Sequence, residues 1–305
     1  MIKINQLLCP IDLSTDGDQA VRYALALRHA YEAKLLLCYC ATQDKAADHE
    51  AAKSRISQLF DRVNTFARVN WEGLVIPGED VGEAIIKTAA EHGVDLIVMR
   101  SRRRPQRAAL LGSTAEWVCR GAPCPVLVTH SDERECIDES RGRINLKRVL
   151  VAYDFSDYSE LAMKYALSLA QEHQAELHLL HVLPPGTVGE PEIAWYPVGR
   201  ESAYHQAARR LQRAVPEEAY LWCNIKHAVS EGQPYREILN YAEKNEIDLI
   251  SLGAHGAGFG MRALFGSNVD RVLRQAPCPV LVARPLRPSF TANLQAEPAR
   301  AVTQA

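Results

Sequence analysis

The chain has 305 residues, enough for two domains of ordinary size that each bury a core without disulfide or metal staples. Hydrophobic residues make up 47% and charged residues 24%, which excludes a mainly disordered chain. Thirty-five basic and 37 acidic residues leave a formal charge of −2, so nucleic acid is not the default partner.

The N-terminus, MIKINQLLCPID, has one early Lys and no long apolar core, so no signal peptide is expected. No run approaches the ~18 apolar residues of a membrane span. The eight cysteines form no CxxC pair and have no histidines at zinc spacing. They are read as buried, reduced thiols of a cytoplasmic protein, with Cys38 and Cys40 on one face of a strand.

The chain repeats itself. Asp12, Ser14, Ala20, Tyr23, Ala24 and Leu27 match Asp154, Ser156, Ala162, Tyr165, Ala166 and Leu169, all 142 positions apart. Asp95-Leu96-Ile97 matches Asp248-Leu249-Ile250, and Gly112-Ser113 matches Gly266-Ser267. APCPVLV occurs at 122–128 and again at 276–282. Two copies of a long repeat predict duplicated domains rather than a solenoid. The expected division is a first domain over 1–130, a polar linker over 131–146, a second domain over 147–287 and a C-terminal tail over 288–305.

Within each half the pattern is strand, helix, strand, helix, strand, helix, strand, helix, strand. The second half illustrates it. Arg148–Tyr153 is an apolar strand, followed by a helix with Leu161, Tyr165 and Leu169 on one stripe beside Ala162, Ala166 and Ala170. Leu177–Val182 is the second strand, then a helix near 201–214 and a strand near 222–229. Helix Tyr235–Asn245, strand Leu249–Leu252, helix Ser267–Gln275 and strand Val280–Val282 complete it. Alternation of this kind predicts an α/β fold: two tandem, doubly wound, five-stranded parallel sheets. The final strand of each half is an apolar edge. The two copies are expected to pair as a pseudo-dimer, Val126 and Val128 facing Val280 and Val282, with a homodimer of whole chains as a further assembly.

Ligands of open α/β sheets bind beyond the carboxyl ends of the strands, where strand order reverses. There the second half carries Gly253-Ala-His-Gly256, nine residues, then Gly266-Ser267-Asn268. Glycines let phosphate oxygens approach backbone N–H groups, and Gly266-Ser267 opens a helix whose free N–H groups favour an anion. The same residues also serve as turn glycines and a capping box, Ser267 with Asp270. No Walker lysine, nucleophile triad or base for attack on a γ-phosphate is evident, so binding is favoured over catalysis.

The spacing G-x2-G-x9-G-S after DLISL, with VAYDFS at the first strand, HVLPP after the second and the terminal APCPVLV, resembles the universal stress protein family. The likeness covers both halves and identifies the chain as a tandem, two-domain type. It implies a nucleotide-binding, Rossmann-like fold and a stress-response role as a sensor or signalling module. It further implies ATP or ADP in the second half, with any Mg2+ riding on the phosphates. Carried over, Ala152, Tyr153 and Asp154 end the first strand, with Asp154 at the ribose or adenine edge. Val182 meets the adenine through its backbone. Leu252, Gly253 and Gly256 line ribose and phosphates, and Gly266, Ser267 and Asn268 hold the phosphates. His255 and Arg262 stand near the phosphates or face solvent, and 184–199 is either a lid or a surface loop. An interaction scaffold without nucleotide and a slow ATPase remain open.

The first half departs from this pattern. Arg100-Ser-Arg-Arg103 replaces the early glycines, and the spacing to Gly112 is one residue shorter. Nucleotide is not expected there. Arg100, Arg102, Arg103, Arg104 and Arg107 suit another anion, an acidic partner or plain solvation.

Overall fold

The computed structural model describes residues 2–13, 18–41, 46–64, 69–101, 112–130, 133–134, 136–138, 142–186, 198–256 and 266–286. The first half runs β1 (Gln6–Ile11), α1 (Asp18–Tyr31), β2 (Lys34–Ala41), α2 (Ala46–Val63), β3 (Trp71–Pro77), α3 (Val81–Glu91), β4 (Leu96–Arg100), α4 (Ser113–Gly121) and β5 (Val126–Thr129). A short antiparallel pair, β6 (Ile137–Asp138) with β7 (Arg143–Ile144), lies in the linker. The second half runs β8 (Arg148–Ala152), α5 (Asp157–His173), β9 (Glu176–Leu183), α6 (Val198–Ala214), β10 (Ile225–Glu231), α7 (Pro234–Lys244), β11 (Leu249–Gly253), α8 (Ser267–Gln275) and β12 (Val280–Ala283).

The third strand of the second half starts later than the sequence suggests. A 3-10 turn over Glu217–Leu221 precedes it, and the Cys223 N–H bonds to the Ala219 carbonyl at 2.9 Å. That bond draws Cys223 into the core before the strand begins. Cys40 also differs from expectation. It is half-buried, with its thiol on the Gly78 carbonyl, where β2 still pairs with β3 but has run past the end of β1.

All strands but the linker pair join one ten-stranded sheet in the order β10-β9-β8-β11-β12-β5-β4-β1-β2-β3. Every pairing within a half is parallel. The halves meet where β12 pairs antiparallel with β5, Val280 opposite Val128 and Val282 opposite Val126. The apolar edges are thereby consumed, and burial of these four valines is complete. One core layer holds residues of α1, α2, α5 and α6, the other residues of α3, α4, α7 and α8, and both layers run across the seam. Ala162, Ala166 and Ala170 bring α5 close enough for the buried Ser251 hydroxyl to donate to the Ala162 carbonyl at 2.9 Å.

The repeated aspartate has a structural task. Asp95 Oδ2 accepts the N–H groups of Asn5 and Gln6 at 2.7 and 3.0 Å. Asp248 Oδ2 does the same for Lys147 and Arg148 at 2.7 and 2.9 Å. Each carboxylate fixes where the first strand of its half enters the sheet, and so fixes register. The tail over 288–305 lies outside the described residues.

Candidate functional site

In the second half β8 has β9 on one side and β11 on the other, so strand order reverses at β8. The carboxyl ends of these three strands diverge there and leave a crevice. It is a cavity of about 350 Å³, and all ten residues expected at the site line it: Ala152, Tyr153, Asp154, Val182, Leu252, Gly253, Gly256, Gly266, Ser267 and Asn268. Its volume is that of a small-molecule pocket, about 300–1,000 Å³.

The turn after β8 aims Asp154. Phe155 adopts a left-handed φ of 65°, a conformation uncommon for a residue with a Cβ. Its first-half counterpart, Leu13, does the same at 56°. The Phe155 ring is held by Tyr153 (5.3 Å between centroids), His181 (4.6 Å) and the Arg210 guanidinium (3.8 Å). The His181 Nδ1–H donates to the Tyr153 carbonyl at 2.8 Å, which ties β8 to β9 at the cavity wall. Asp154 Oδ1 accepts from the Ser156 N–H (3.1 Å) and hydroxyl (2.5 Å). Ser156 in turn caps α5 by accepting the Ser159 N–H at 3.2 Å. One oxygen of Asp154 therefore serves the helix start. The other lies beside Gly256, where a Cβ would come within 2.9 Å of Oδ2.

The glycines play different parts. A Cβ on Gly253 would sit 2.6 Å from Tyr158 Cβ and 2.7 Å from its carbonyl carbon, so this glycine lets the β11 loop pass over the start of α5. Gly266 has ordinary angles, φ −58° and ψ 133°, and its Cβ would meet nothing nearer than 3.5 Å. Neither backbone nor packing demands glycine there, and the space it leaves opens on the cavity at the N-terminus of α8.

His255 lines the cavity, half-buried, with its ring edge-on to Tyr158 at 5.0 Å. Burial, and secondarily the positive charge of Arg284, lower its pKa, so the imidazole is neutral at neutral pH. Among the described residues, no Lys or Arg lines the cavity. Arg262 lies outside the described residues, and of the segment 184–199 only Pro184 at the cavity rim, its next two residues and the start of α6 are described. Sequence reasoning does not single out Ser159, Leu180, Pro234, Ile238, Val269 and Val272, which complete the floor and walls, all but Ser159 apolar. Leu180 stands on β9, and the others stand on helices whose approach to the crevice depends on packing.

In the first half Gly112 keeps the angles of Gly266, φ −59° and ψ 133°. Its N–H, however, is taken by the Ser101 hydroxyl at 3.2 Å, where the Gly266 N–H makes a longer bond to the Ala254 carbonyl, 3.4 Å. Arg100 ends β4 at the place of Gly253. Arg102, Arg103, Arg104 and Arg107 lie outside the described residues.

The universal stress protein family model matches this chain twice, over residues 3–130 and 145–284. The chain belongs to the universal stress protein family. A universal stress protein of Mycolicibacterium smegmatis is 27% identical over 297 residues, covering 92% of this chain and 97% of the relative. One from Mycobacterium tuberculosis is 32% identical over 215 residues, 68% of each chain. The crystal structure of a universal stress protein from Archaeoglobus fulgidus superposes with a TM-score of 0.67 at 22% identity, covering 93% of this chain and 99% of that one. That likeness establishes the shared tandem fold. No described helix is long and apolar enough to cross a membrane. Among the described residues, no group of three or more His, Cys, Asp or Glu is placed to hold a metal ion.

Proposed function

We propose that the second half of this universal stress protein binds one adenine nucleotide, ATP or ADP, and that the chain acts as a nucleotide-responsive stress or signalling module. The observation that carries this reading is the convergence of Asp154, the Gly253–Gly256 loop and the open N-terminus of α8 on one cavity at the reversal of strand order. The apolar part, Val182, Ile238 and Val269, suits a flat base. Asp154 Oδ2, beside Gly256 at the cavity, suits a ribose hydroxyl. Backbone N–H groups and the Ser267 and Asn268 side chains at the α8 N-terminus suit phosphates. A divalent ion would be carried by the phosphates, since among the described residues the cavity supplies one carboxylate and that one is partly engaged. Among the described residues nothing marks a base for attack on a γ-phosphate, which favours binding over turnover. Eight free cysteines agree with a cytoplasmic setting.

Isothermal titration of the full chain with ATP and with ADP tests this. The expected stoichiometry is one per chain, because Arg100 and the Ser101 cap close the equivalent approach in the first half. Gly266→Val should abolish binding while leaving the circular dichroism and melting temperature nearly unchanged, because the backbone angles and neighbours accept a side chain there. Two nucleotides per chain, or unchanged affinity in Gly266→Val, would defeat the assignment.

A further inference from the structure

The first strand and helix of the two halves stand 142 positions apart, which pairs Leu13 with Phe155. The helices after the second strands keep a different spacing. Ala52, Ile56 and Phe60 of α2 are buried, as are Ala207, Leu211 and Val215 of α6, each pair 155 positions apart. That register pairs Arg55 with Arg210.

Both arginines are exposed, and both reach the same point of the fold. Leu13 and Phe155 are the left-handed residues after the first strand of each half, at φ 56° and 65°. Arg210 lays its guanidinium over the Phe155 ring, 3.8 Å from the centroid. Arg55 Nη2 donates to the Leu13 carbonyl at 3.4 Å. One contact is to a ring face and the other to a backbone oxygen. What they share is the residue that is held. A task of covering the ring would not put an arginine on Leu13, which has none.

A left-handed φ is costly for a residue with a Cβ and persists only where neighbours over-determine it. At Phe155 the sheet side supplies Tyr153 and His181, and Arg210 adds a third neighbour from the helix layer. The conformation matters because Asp154 comes just before it. With the chain turned there, Asp154 Oδ1 accepts the Ser156 N–H at 3.1 Å, and Oδ2 lies beside Gly256 at the cavity. Arg210 itself does not line the cavity.

We propose that Arg210 is a positioning residue: through Phe155 it holds the turn that aims Asp154, and so sets nucleotide affinity without touching the nucleotide. Its effect on affinity rests on the nucleotide reading above; its effect on the turn does not. Arg55 holds the same turn in the first half, where Arg100 stands in place of Gly253. The clamp therefore belongs to the fold, and the second half puts it to use.

Two measurements on the full chain test this. Hydrogen exchange at the Ser156 N–H, followed by NMR without nucleotide, reports the turn. Calorimetric titration with ATP reports the site. Arg210→Ala should speed the exchange and weaken ATP binding, each by about two- to fivefold, the size of an exposed cation–ring contact. Arg210→Lys keeps a cation over the ring and should stay within about twofold of the parent. Arg209→Ala, exposed beside it on α6, should change neither. Phe155→Gly removes the ring and takes a left-handed φ without support. In that background Arg210→Ala should have no further effect on either measurement. Unchanged exchange in Arg210→Ala, or unchanged ATP affinity in a parent that binds, overturns the proposal. So does an equal loss of affinity with and without Phe155→Gly, since Arg210 would then act on the ligand directly. If the parent binds no ATP, the nucleotide reading falls and the exchange alone decides: faster exchange upholds the clamp, and unchanged exchange rejects it.

Discussion

Arg284 follows β12 in the second half, yet its side chain ends in the first. It is 6% exposed, and its Nη1 donates to the carbonyls of Cys119 (2.5 Å) and Arg120, the last turn of α4. Those carbonyls form the negative end of the helix, and no further turn follows to satisfy them. Replacing Arg284 by Met keeps most of the buried stem and removes the charged donor. Hydrogen bonds from a charged group contribute about 1.5–3 kcal/mol each, and a buried carbonyl left without a partner costs about 1–3 kcal/mol. Against this stands the desolvation of the guanidinium, which the variant no longer suffers. The balance is a loss of about 2–4 kcal/mol, measured as the urea-unfolding free energy of the full chain. Arg284→Lys should recover less than half of it, because the lysine side chain ends one atom short of the position of Nη1, which serves both carbonyls. A second readout follows from position. The Arg284 charge helps lower the His255 pKa, so in Arg284→Met that pKa should rise in an NMR titration while burial keeps it below the ordinary 6.5. A stability change under about 0.5 kcal/mol together with an unmoved His255 titration would refute the placement of this side chain.

Three further outcomes are expected. Gly253→Ala should destabilise by about 1–3 kcal/mol in urea unfolding, since its Cβ would overlap Tyr158, whereas Gly266→Val should not; equal effects of the two would contradict the roles assigned to these glycines. Aspartate at both Val126 and Val280 should open the β5–β12 seam and enlarge the radius of gyration in small-angle scattering, because both positions are fully buried; an unchanged radius counts against the seam. Burial lowers the pKa values of His173, His178, His227 and His255 below 6.5, so between the folded and unfolded values the unfolded chain holds more protons. Unfolding free energy should then fall as pH drops from 7.5 to 5.5, and a flat or rising profile would be inconsistent with these burials.

Much of the architecture can be read from the chain because it is local or repeated. The Ala stripe of α5, the apolar runs and the twin APCPVLV strands each carry their own signal, and an apolar edge at the end of each half implies a seam. The cavity is legible only along the glycine loop and the ends of β8 and β9, where spacing reflects backbone shape. Ile238 and Val272 read as ordinary core positions, because nothing in a helical apolar period tells which residue overlooks a crevice. Asp95 and Asp248 repeat visibly, but their bonds run to strand starts about a hundred residues earlier. The linker reads as merely polar. Its composition conceals Cys136 and Ile144, two residues whose burial depends on α1 being alongside.

Fusion of the two halves also changes what substitutions are permitted. In a symmetric pair of identical subunits every replacement appears twice, so losing one ligand site means losing both. A covalently joined pair escapes that constraint everywhere except along the strand by which each copy must recognise the other. The chain has this signature: seven identical residues at 122–128 and 276–282, beside loops that have become Arg100-Ser-Arg-Arg103 in one copy and Gly253-Ala-His-Gly256 in the other. Specialisation of the halves is thus a property of having one polypeptide, and the seam is the part of the molecule that was not free to drift.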